Sequence, residues 1–230
     1  ALAQRESGAV SALGLIVAAP ASGSGKTVLT LGLLRAFRRR GLATGSFKVG
    51  PDYIDTAFHA AATGRPGYNV DGWAMRFDTL AGIIEDAGRD CDLVIGEGVM
   101  GLFDGATDGT GSTADLAALF GLPVLLVVDA ARMGASAAAL VDGFRRHRDD
   151  VNVAAIVFNR VGSRAHAELL TRACFEHLST PVVGCLPRDA GLTLASRHLG
   201  LVQAAEHADL DAFLDAAGQR VAAELDLDRL

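Results

Sequence analysis

Short runs of uniformly apolar residues constrain the fold of this chain more than any other feature of its sequence. A strand that is apolar on both faces has to be covered on both faces, as it is in a parallel sheet between two layers of helices. Segments with helical periodicity separate these runs, and this alternation is typical of right-handed βαβ units. The sequence therefore predicts an α/β fold with a doubly wound, mainly parallel sheet and helices on both faces. The predicted strands are 13–19, 44–49, 93–95, 124–128, 153–158 and 182–186, and the predicted helices are 26–39, 78–87, 135–148, 164–177 and 210–225.

The composition argues against several other classes of protein. With 50% hydrophobic and 21% charged residues, the chain of 230 residues can bury a core and is not intrinsically disordered. Its formal net charge of −6 argues against general binding of nucleic acid. The three cysteines form no CxxC motif, so we expect neither a disulfide framework nor a zinc site, and a reducing cytoplasm fits best. No apolar run is long enough to span a membrane, and residues 1–12 are expected to be a frayed leader.

A phosphate-binding loop is predicted directly after the first strand, in the segment PASGSGKT that begins at Pro20. Its backbone amides and the N-terminus of the following helix would cradle phosphates, while Lys26 reaches the β and γ phosphates and Thr27 offers a hydroxyl to Mg²⁺. A strict GxxxxGK[ST] motif has glycine where this chain has Pro20. The alternative is a Gly/Ser-rich turn beside a helix cap, but a buried strand before GKT and a helix after it favour a P-loop NTPase-like fold. The predicted nucleotide contacts of the loop are Ser22, Gly23, Ser24, Gly25, Lys26 and Thr27.

A lysine and two carboxylates follow the second strand, in the segment KVGPDYID that begins at Lys48. Gly50-Pro51 ends the strand in a turn, which would aim Asp52 at the phosphate site. There Asp52 could hold Mg²⁺, and Lys48 could neutralise a phosphate or a substrate carboxylate. The alternative is that Asp52 and Asp55 cap the next helix, and Asp55 is the more cap-like of the two.

A glycine-rich stretch without helical periodicity runs from Gly96 to Thr113. Glu97 lies between two glycines just after the strand, which suits a carboxylate that holds Mg²⁺ or faces the attacking water or amine. Six glycines between Gly96 and Gly111 would let the main chain approach a ligand. The alternative is a mobile surface loop. Asp104 is a further candidate for a direct role.

Polar residues also follow the last two predicted strands. Asn159 can donate to and accept from an adenine edge, or it can simply initiate a turn. Arg188, after Pro187, could cover a base or pair with Asp189, and the sequence leaves this open. The six histidines form no HxxxH or HExxH pattern and are expected on surfaces or helices, with His59 as the exception because it follows the Asp52 segment.

These motifs together resemble a known family. The segments PASGSGKT, FKVGPDYID followed by AFH, and IGEGVMGLFDG resemble the N-terminal synthetase domain of cobyrinic (or hydrogenobyrinic) acid a,c-diamide synthases, and VVDA and PVVGCLPRD agree. That domain is similar in fold to dethiobiotin synthetase. The resemblance implies an ATP- and Mg²⁺-dependent amidoligase of cobalamin biosynthesis. Its reaction converts the a and c carboxylates of a corrinoid to acyl phosphates, from which ammonia displaces phosphate.

The resemblance also implies roles for individual residues, which group by what they would contact. Those implied in catalysis are Lys26, Lys48, Asp52, Glu97 and Asp104, and those implied to hold Mg²⁺ are Thr27, Asp52 and Glu97. Those implied to contact the corrinoid are Tyr53, Ile54, His59, Gly98 and Gly101. Those implied to contact adenine are Asn159, Pro187 and Arg188.

The family's chains continue into a C-terminal glutaminase domain that releases ammonia. We expect that domain to be absent here, so that residues 13–230 form one synthetase domain and ammonia comes from a glutaminase domain or subunit. One alternative function is another carboxylate-activating synthetase of the dethiobiotin synthetase type. Another is a partitioning-type ATPase switch, although such proteins carry an extra lysine where this chain has Pro20-Ala21-Ser22. The presence of cobalt in the corrinoid stays open, and related folds with active sites at dimer interfaces make a homodimer an expectation.

Overall fold

Alternating strands and helices build the fold, which a computed structural model describes for residues 13–192, 194, 196–197, 200–201, 203–206 and 209–230. The leader expected at residues 1–12 lies outside the described residues, as do His198 and His207. In chain order the elements are β1 (Leu13–Ala18), α1 (Lys26–Arg39), β2 (Thr44–Val49), α2 (Tyr53–Thr63), β3 (Gly67–Val70), α3 (Phe77–Gly88), β4 (Leu93–Glu97), α4 (Thr113–Phe120), β5 (Val124–Asp129), α5 (Ser136–Arg146), β6 (Val153–Val161), α6 (Arg164–His177), β7 (Val182–Pro187), β8 (Ser196–Arg197), β9 (Gly200–Leu201), a 3-10 helix (Ala204–Glu206) and α7 (Leu210–Glu224).

The main sheet of the described residues has seven strands in the order β3-β2-β4-β1-β5-β6-β7, and every pairing within it is parallel. The strand order reverses at β1, which lies between β4 and β5. Such a reversal leaves a crevice at the carboxyl ends of the strands, where α/β proteins bind ligands. Because β2, β4 and β1 are neighbours, the segments that follow them meet at this crevice. β8 and β9 form a separate antiparallel pair.

Both faces of the sheet are buried, and β1 shows how. Leu15 and Val17 pack into the layer that contains α1, α2 and α7, whereas Ile16 and Ala18 pack into the layer that contains α3, α4, α5 and α6. None of these four side chains is more than 5% exposed. The continuous apolar run thus follows from burial on both faces, because successive side chains of a strand point to opposite sides. No helix in the described ranges combines the length and the apolar composition needed to cross a bilayer.

The predicted fold class is confirmed, and three predicted elements have the observed bounds: helices α1 and α6 and strand β2. The sequence did not predict α2, α4 or β3. The inward face of α2 carries the buried polar residues Asp55 and His59, which interrupt the apolar periodicity that marks a helix. α4 has only eight residues and β3 only four, so each offers little periodic signal.

Candidate functional site

The phosphate loop connects β1 to α1 and depends on two glycines with left-handed backbone. Gly23 has φ of +76° and Gly25, the N-cap of α1, has φ of +96°. A Cβ atom at Gly25 would lie 2.1 Å from Nδ2 of Asn159, so a larger residue does not fit there. The start of α1 therefore presents free amide groups and the positive end of the helix dipole to the cleft, an arrangement that binds anions.

Lys26 lies at the start of α1 and is held by carbonyl oxygens. Its Nζ donates to O of Met100 at 2.5 Å and to O of Ala21 at 3.4 Å. Met100 has φ of +47°, a conformation that non-glycine residues seldom adopt, so its backbone carbonyl reaches the ammonium only through a strained turn. Burial is the largest influence on the pKa of Lys26 and lowers it. The ammonium is thus desolvated and positioned beside the loop.

Glu97, the last residue of β4, is the centre of the site. Its Oε1 accepts hydrogen bonds from Oγ1 of Thr27 at 2.5 Å and from Nζ of Lys48 at 2.8 Å. Its Oε2 lies 2.7 Å from Nε2 of His59, and the side chains of Glu97 and His59 are both completely buried. Burial alone would raise the pKa of Glu97, but the charge of Lys48 and the hydrogen bond from His59 outweigh it and lower the pKa well below its usual range. The carboxylate is therefore ionised.

Lys48 is a buried cation shared by two buried carboxylates, Glu97 and Asp55. Burial alone would lower the pKa of Lys48, yet the charges of these two partners raise it above its ordinary value. For Asp55, burial and the neighbouring charge of Glu97 raise the pKa, against the attraction of Lys48. The ammonium of Lys48 thus offsets the repulsion between the two carboxylates at the buried edge of the cleft, and the three groups carry a net charge of −1 when all are ionised.

The expectation that Asp55 is the more cap-like carboxylate was wrong. Asp52 is the N-cap of α2, and its side chain accepts from the backbone N–H of Ile54 at 3.1 Å. Asp55 lies one turn further along the helix, where the three-residue spacing turns it inward onto Lys48. Sequence reasoning therefore missed Asp55 as a site residue, because its partner Lys48 lies on another element and is brought to it only by the fold.

Asp104 and Gly101 close the turn that follows β4. The backbone N–H of Gly101 donates to Oδ2 of Asp104 at 2.8 Å. A Cβ atom at Gly101 would lie 2.7 Å from O of Pro20, so this turn packs against the start of the phosphate loop. Asp104 is exposed and its charge acts on Lys26. Glycine at this position thereby lets the turn after β4 pack closely against the segment after β1.

A cleft of about 670 Å³ runs from the phosphate loop to the end of β7. Asn159 uses both ends of its amide within the protein, because Nδ2 donates to O of Ser24 at 2.9 Å and Oδ1 accepts from the N–H of Arg160. The sequence left open whether Arg188 covers a base or pairs with Asp189; in the structure Asp189 pairs with Arg220 of α7 at 2.8 Å, and Arg188 lines the cleft. The predicted residues that line this cleft are Ser22, Gly23, Gly25, Lys26, Thr27, Lys48, Asp52, Glu97, Gly98, Asn159, Pro187 and Arg188.

Other predicted residues lie at the border of the cleft or behind it. Tyr53, at the start of α2, is 70% exposed, and Ile54 beside it is half-buried. His59 has no exposed surface, so in this structure the imidazole contacts Glu97 and does not reach the cleft. The hydroxyl of Ser24 donates to O of Ala21 at 2.8 Å and shapes the loop from within.

The oxygen atoms at the phosphate end of the cleft suit a hard divalent cation. A hydroxyl (Thr27) and an ionised carboxylate (Glu97) already touch there, and the exposed carboxylate of Asp52 lines the same cleft. Within the described ranges, no group of three or more His, Cys, Asp and Glu residues could hold a metal by itself. Mg²⁺ fits this donor set, because it keeps several waters and takes one or two protein carboxylates together with phosphate oxygens.

Fold and site together define a nucleotide-binding domain of the P-loop NTPase-like kind. The chain belongs to the family described as the CobQ/CobB/MinD/ParA nucleotide binding domain, whose model matches residues 15–202. Among solved structures, chloroplast FtsY from Physcomitrella patens superposes with a TM-score of 0.58 at 16% identity, over 93% of this chain and 68% of that one. A likeness at this identity shows the fold alone.

Curated relatives give a closer match and confirm the resemblance that the motifs indicated. Hydrogenobyrinate a,c-diamide synthase of Rhizobium meliloti (strain 1021) is 57% identical over 215 residues, which is 94% of this chain and 50% of the relative. The enzyme of the same name from Brucella anthropi is 54% identical over 221 residues, again 94% of this chain and 50% of the relative. The chain thus spans about half the length of the curated relatives it matches.

Proposed function

We propose that this chain is the ATP- and Mg²⁺-dependent amidoligase part of a corrinoid a,c-diamide synthase, acting on cobyrinic or hydrogenobyrinic acid. The observation that carries the proposal is the contact of Thr27 with the ionised Glu97, beside the phosphate loop, in a chain 57% identical to a hydrogenobyrinate a,c-diamide synthase. The contact supports phosphoryl chemistry, and the relative supports the choice of acceptor.

At the phosphate end, the loop amides and Lys26 would bind the β and γ phosphates of ATP. Thr27, Asp52 and Glu97 would hold Mg²⁺, which when bound neutralises charge on the phosphate oxygens. Lys26 already donates to the carbonyl of Met100, and a phosphate oxygen would be a stronger, charged acceptor for the same ammonium. At the other end of the cleft, Asn159, Pro187 and Arg188 border the space proposed for adenine.

At the acceptor end, Lys48 contacts Glu97, which touches Thr27 of the phosphate loop, and Asp55 in the first turn of α2, and these contacts support a place for Lys48 between nucleotide and substrate. We assign Tyr53 and Ile54 to the corrinoid because they lie next to the cleft-lining Asp52 and keep accessible surface. Gly98 gives the substrate close access to backbone, and Asp104 lies near enough for its charge to act on Lys26. His59 is not assigned to the corrinoid, because it has no exposed surface.

The proposed reaction has two steps at each carboxylate. A carboxylate oxygen of the corrinoid attacks the γ phosphorus of ATP, the bond to the bridging oxygen breaks, and ADP leaves. Ammonia then attacks the acyl carbon of the acyl phosphate, phosphate leaves with the electrons of the C–O bond, and the surplus proton of the nitrogen goes to solvent. Positioning and charge neutralisation by Lys26 and Lys48 would supply most of the catalysis.

We further propose that ammonia reaches the site from a glutaminase that lies outside these 230 residues, as another domain or another chain. The test incubates the 230-residue chain with corrinoid, ATP and Mg²⁺, and with ammonium or glutamine as the nitrogen source. Mass spectrometry should detect the a,c-diamide with ammonium and not with glutamine. The Glu97→Gln variant is the control that should form none.

Three outcomes would contradict the proposal in different ways. Amidation with glutamine alone would overturn the separate source of ammonia. ADP formation that depends on another carboxylic acid, and not on a corrinoid, would favour a different carboxylate-activating synthetase. ATP turnover stimulated by DNA and a protein partner would favour a partitioning-type ATPase.

A further inference from the structure

The side chain of His59 lies behind the cleft, where Glu97 is its one polar partner among the residues that the structure describes. It belongs to α2, and its Nε2 lies 2.7 Å from Oε2 of Glu97 at the end of β4. β3 packs closely against this turn of the helix. A Cβ atom at Gly67 would lie 3.3 Å from Cβ of His59 and 2.5 Å from O of Thr56, so the backbone of β3 limits how far the imidazole can move.

The hydrogen bond assigns the proton of this imidazole. Nδ1 is buried and has no hydrogen-bond partner in the part of the chain that the structure describes. If Nδ1 carried the only proton, Nε2 would point a lone pair at a carboxylate oxygen 2.7 Å away, and two acceptors do not stay at that distance. Nε2 therefore carries a proton and donates it to Glu97.

This donation determines how the carboxylate of Glu97 is rotated. Oε2 is occupied by His59 on the buried side, which leaves Oε1 for Thr27 and Lys48 on the side of the cleft. Without the donor, Oε2 would be a buried anionic oxygen without a hydrogen bond. The carboxylate would then lower its free energy by rotating so that Oε2 faces Lys48 or water. Either rotation would move Oε1 away from the hydroxyl of Thr27.

We propose that His59 is a positioning residue that holds Oε2 of Glu97, so that Oε1 faces Thr27 at the metal-binding edge of the cleft. The proposal rests on the proposed function in one respect, the assignment of Thr27 and Glu97 to Mg²⁺. Hydrogen bonds of this kind orient the ligands of many metal sites, and their loss typically lowers metal affinity by about 10-fold to 100-fold.

The test compares two substitutions of similar size. His59→Phe keeps a ring of similar shape and removes the donor, whereas the amide nitrogen of His59→Gln can reach the position of Nε2. The affinity for a fluorescent ATP analogue is measured with Mg²⁺ and with EDTA. The dissociation constant in EDTA divided by that in Mg²⁺ gives the contribution of the metal to binding. We expect the ratio of His59→Phe to fall by about 10-fold or more relative to the original chain, while His59→Gln keeps most of it.

The EDTA measurement is the folding control, because an unchanged affinity without metal shows that the phosphate loop is intact. If His59→Phe does not fold, His59→Asn takes its place, because this shorter amide cannot reach Glu97. Its ratio of dissociation constants should fall, whereas that of His59→Gln should stay near the value of the original chain. A ratio unchanged in the donor-free variant, or lost equally in His59→Gln, would overturn the role of His59. A ratio of one in the original chain would instead overturn the proposed Mg²⁺ site. The measurement needs no corrinoid, so it does not depend on the choice of acceptor.

Discussion

Oγ1 of Thr27 lies 2.5 Å from Oε1 of Glu97, and this hydrogen bond joins the phosphate loop after β1 to the end of β4. The same oxygen accepts from Lys48 of β2, so a single carboxylate atom connects three neighbouring strand ends. A group that binds the Thr27 hydroxyl in the cleft therefore acts directly on a buried charge cluster. The effects of this charge cluster on the stability of the fold and on ligand binding can be measured separately.

The low pKa of Glu97 predicts a loss of stability in acid. Its pKa lies below the ordinary value of 4.5, so its ionised form stabilises the fold above about pH 4.5, and this contribution is lost as the pH falls toward the folded-state pKa. Because Asp55 titrates beside it, the comparison is made between Asp55→Asn and the double variant Asp55→Asn/Glu97→Gln. Their difference in free energy of unfolding should narrow by about 1–2 kcal/mol between pH 5 and pH 3. Urea denaturation measures it, and a difference that stays constant or widens in acid would contradict the assignment.

Within this cluster, we predict that replacing Lys48 lowers the free energy of unfolding most. Lys48→Met leaves Asp55 and Glu97 buried without their cation, and breaking a buried ion pair from one side typically costs about 3–5 kcal/mol. Denaturation at pH 7 should show this loss, and Lys48→Met/Asp55→Asn should recover part of it because one stranded charge is gone. A single variant as stable as the original chain would show that the cluster is not held by Lys48.

The scaffold of the site could be predicted from sequence, because local patterns determine it. Apolar runs marked the strands, and GKT after β1 marked the start of α1 at Lys26. The order in which strands pair cannot be read from such runs. It is the pairing of β4 with both β1 and β2 that brings Glu97 to Thr27 and Lys48.

The contacts that sequence reasoning missed all depend on tertiary structure. Sequence reasoning treated Asp55 as a helix cap and His59 as a contact of the corrinoid, and only the packing of α2 against β2 and β3 turns both side chains inward. The carbonyl of Met100 carries no side-chain signal, and its contact with Lys26 joins residues 74 positions apart. Asp189 has an adjacent arginine in sequence, yet it pairs with Arg220 because α7 returns to the end of β7.

Gly25 and Gly23 are predicted to differ in how well they tolerate alanine. Both have positive φ, which costs about 1–2 kcal/mol for a residue with a Cβ atom. A Cβ atom at Gly23 would meet open space, whereas one at Gly25 would collide with the amide of Asn159. Gly25→Ala should therefore lower the free energy of unfolding by clearly more than Gly23→Ala does. In an Asn159→Ala background, Gly25→Ala and Gly23→Ala should lower the free energy of unfolding by similar amounts. If Gly25→Ala still costs clearly more there, the difference comes from backbone strain and not from the collision.

Asp52 has two possible contributions, a helix cap and a charge, and two substitutions separate them. Asparagine caps helices as well as aspartate does, so Asp52→Asn should keep the hydrogen bond to Ile54 and the stability of the fold. Asp52→Ala should lose about 1 kcal/mol of stability with the cap. If the carboxylate helps to hold Mg²⁺, both variants should lose corrinoid-dependent ADP formation by about a hundredfold or more, because removing one preorganised electrostatic group has effects of that size. If Asp52→Asn keeps its activity while Asp52→Ala loses it, the negative charge of Asp52 is not required, and that outcome would contradict the proposed contribution of its carboxylate charge.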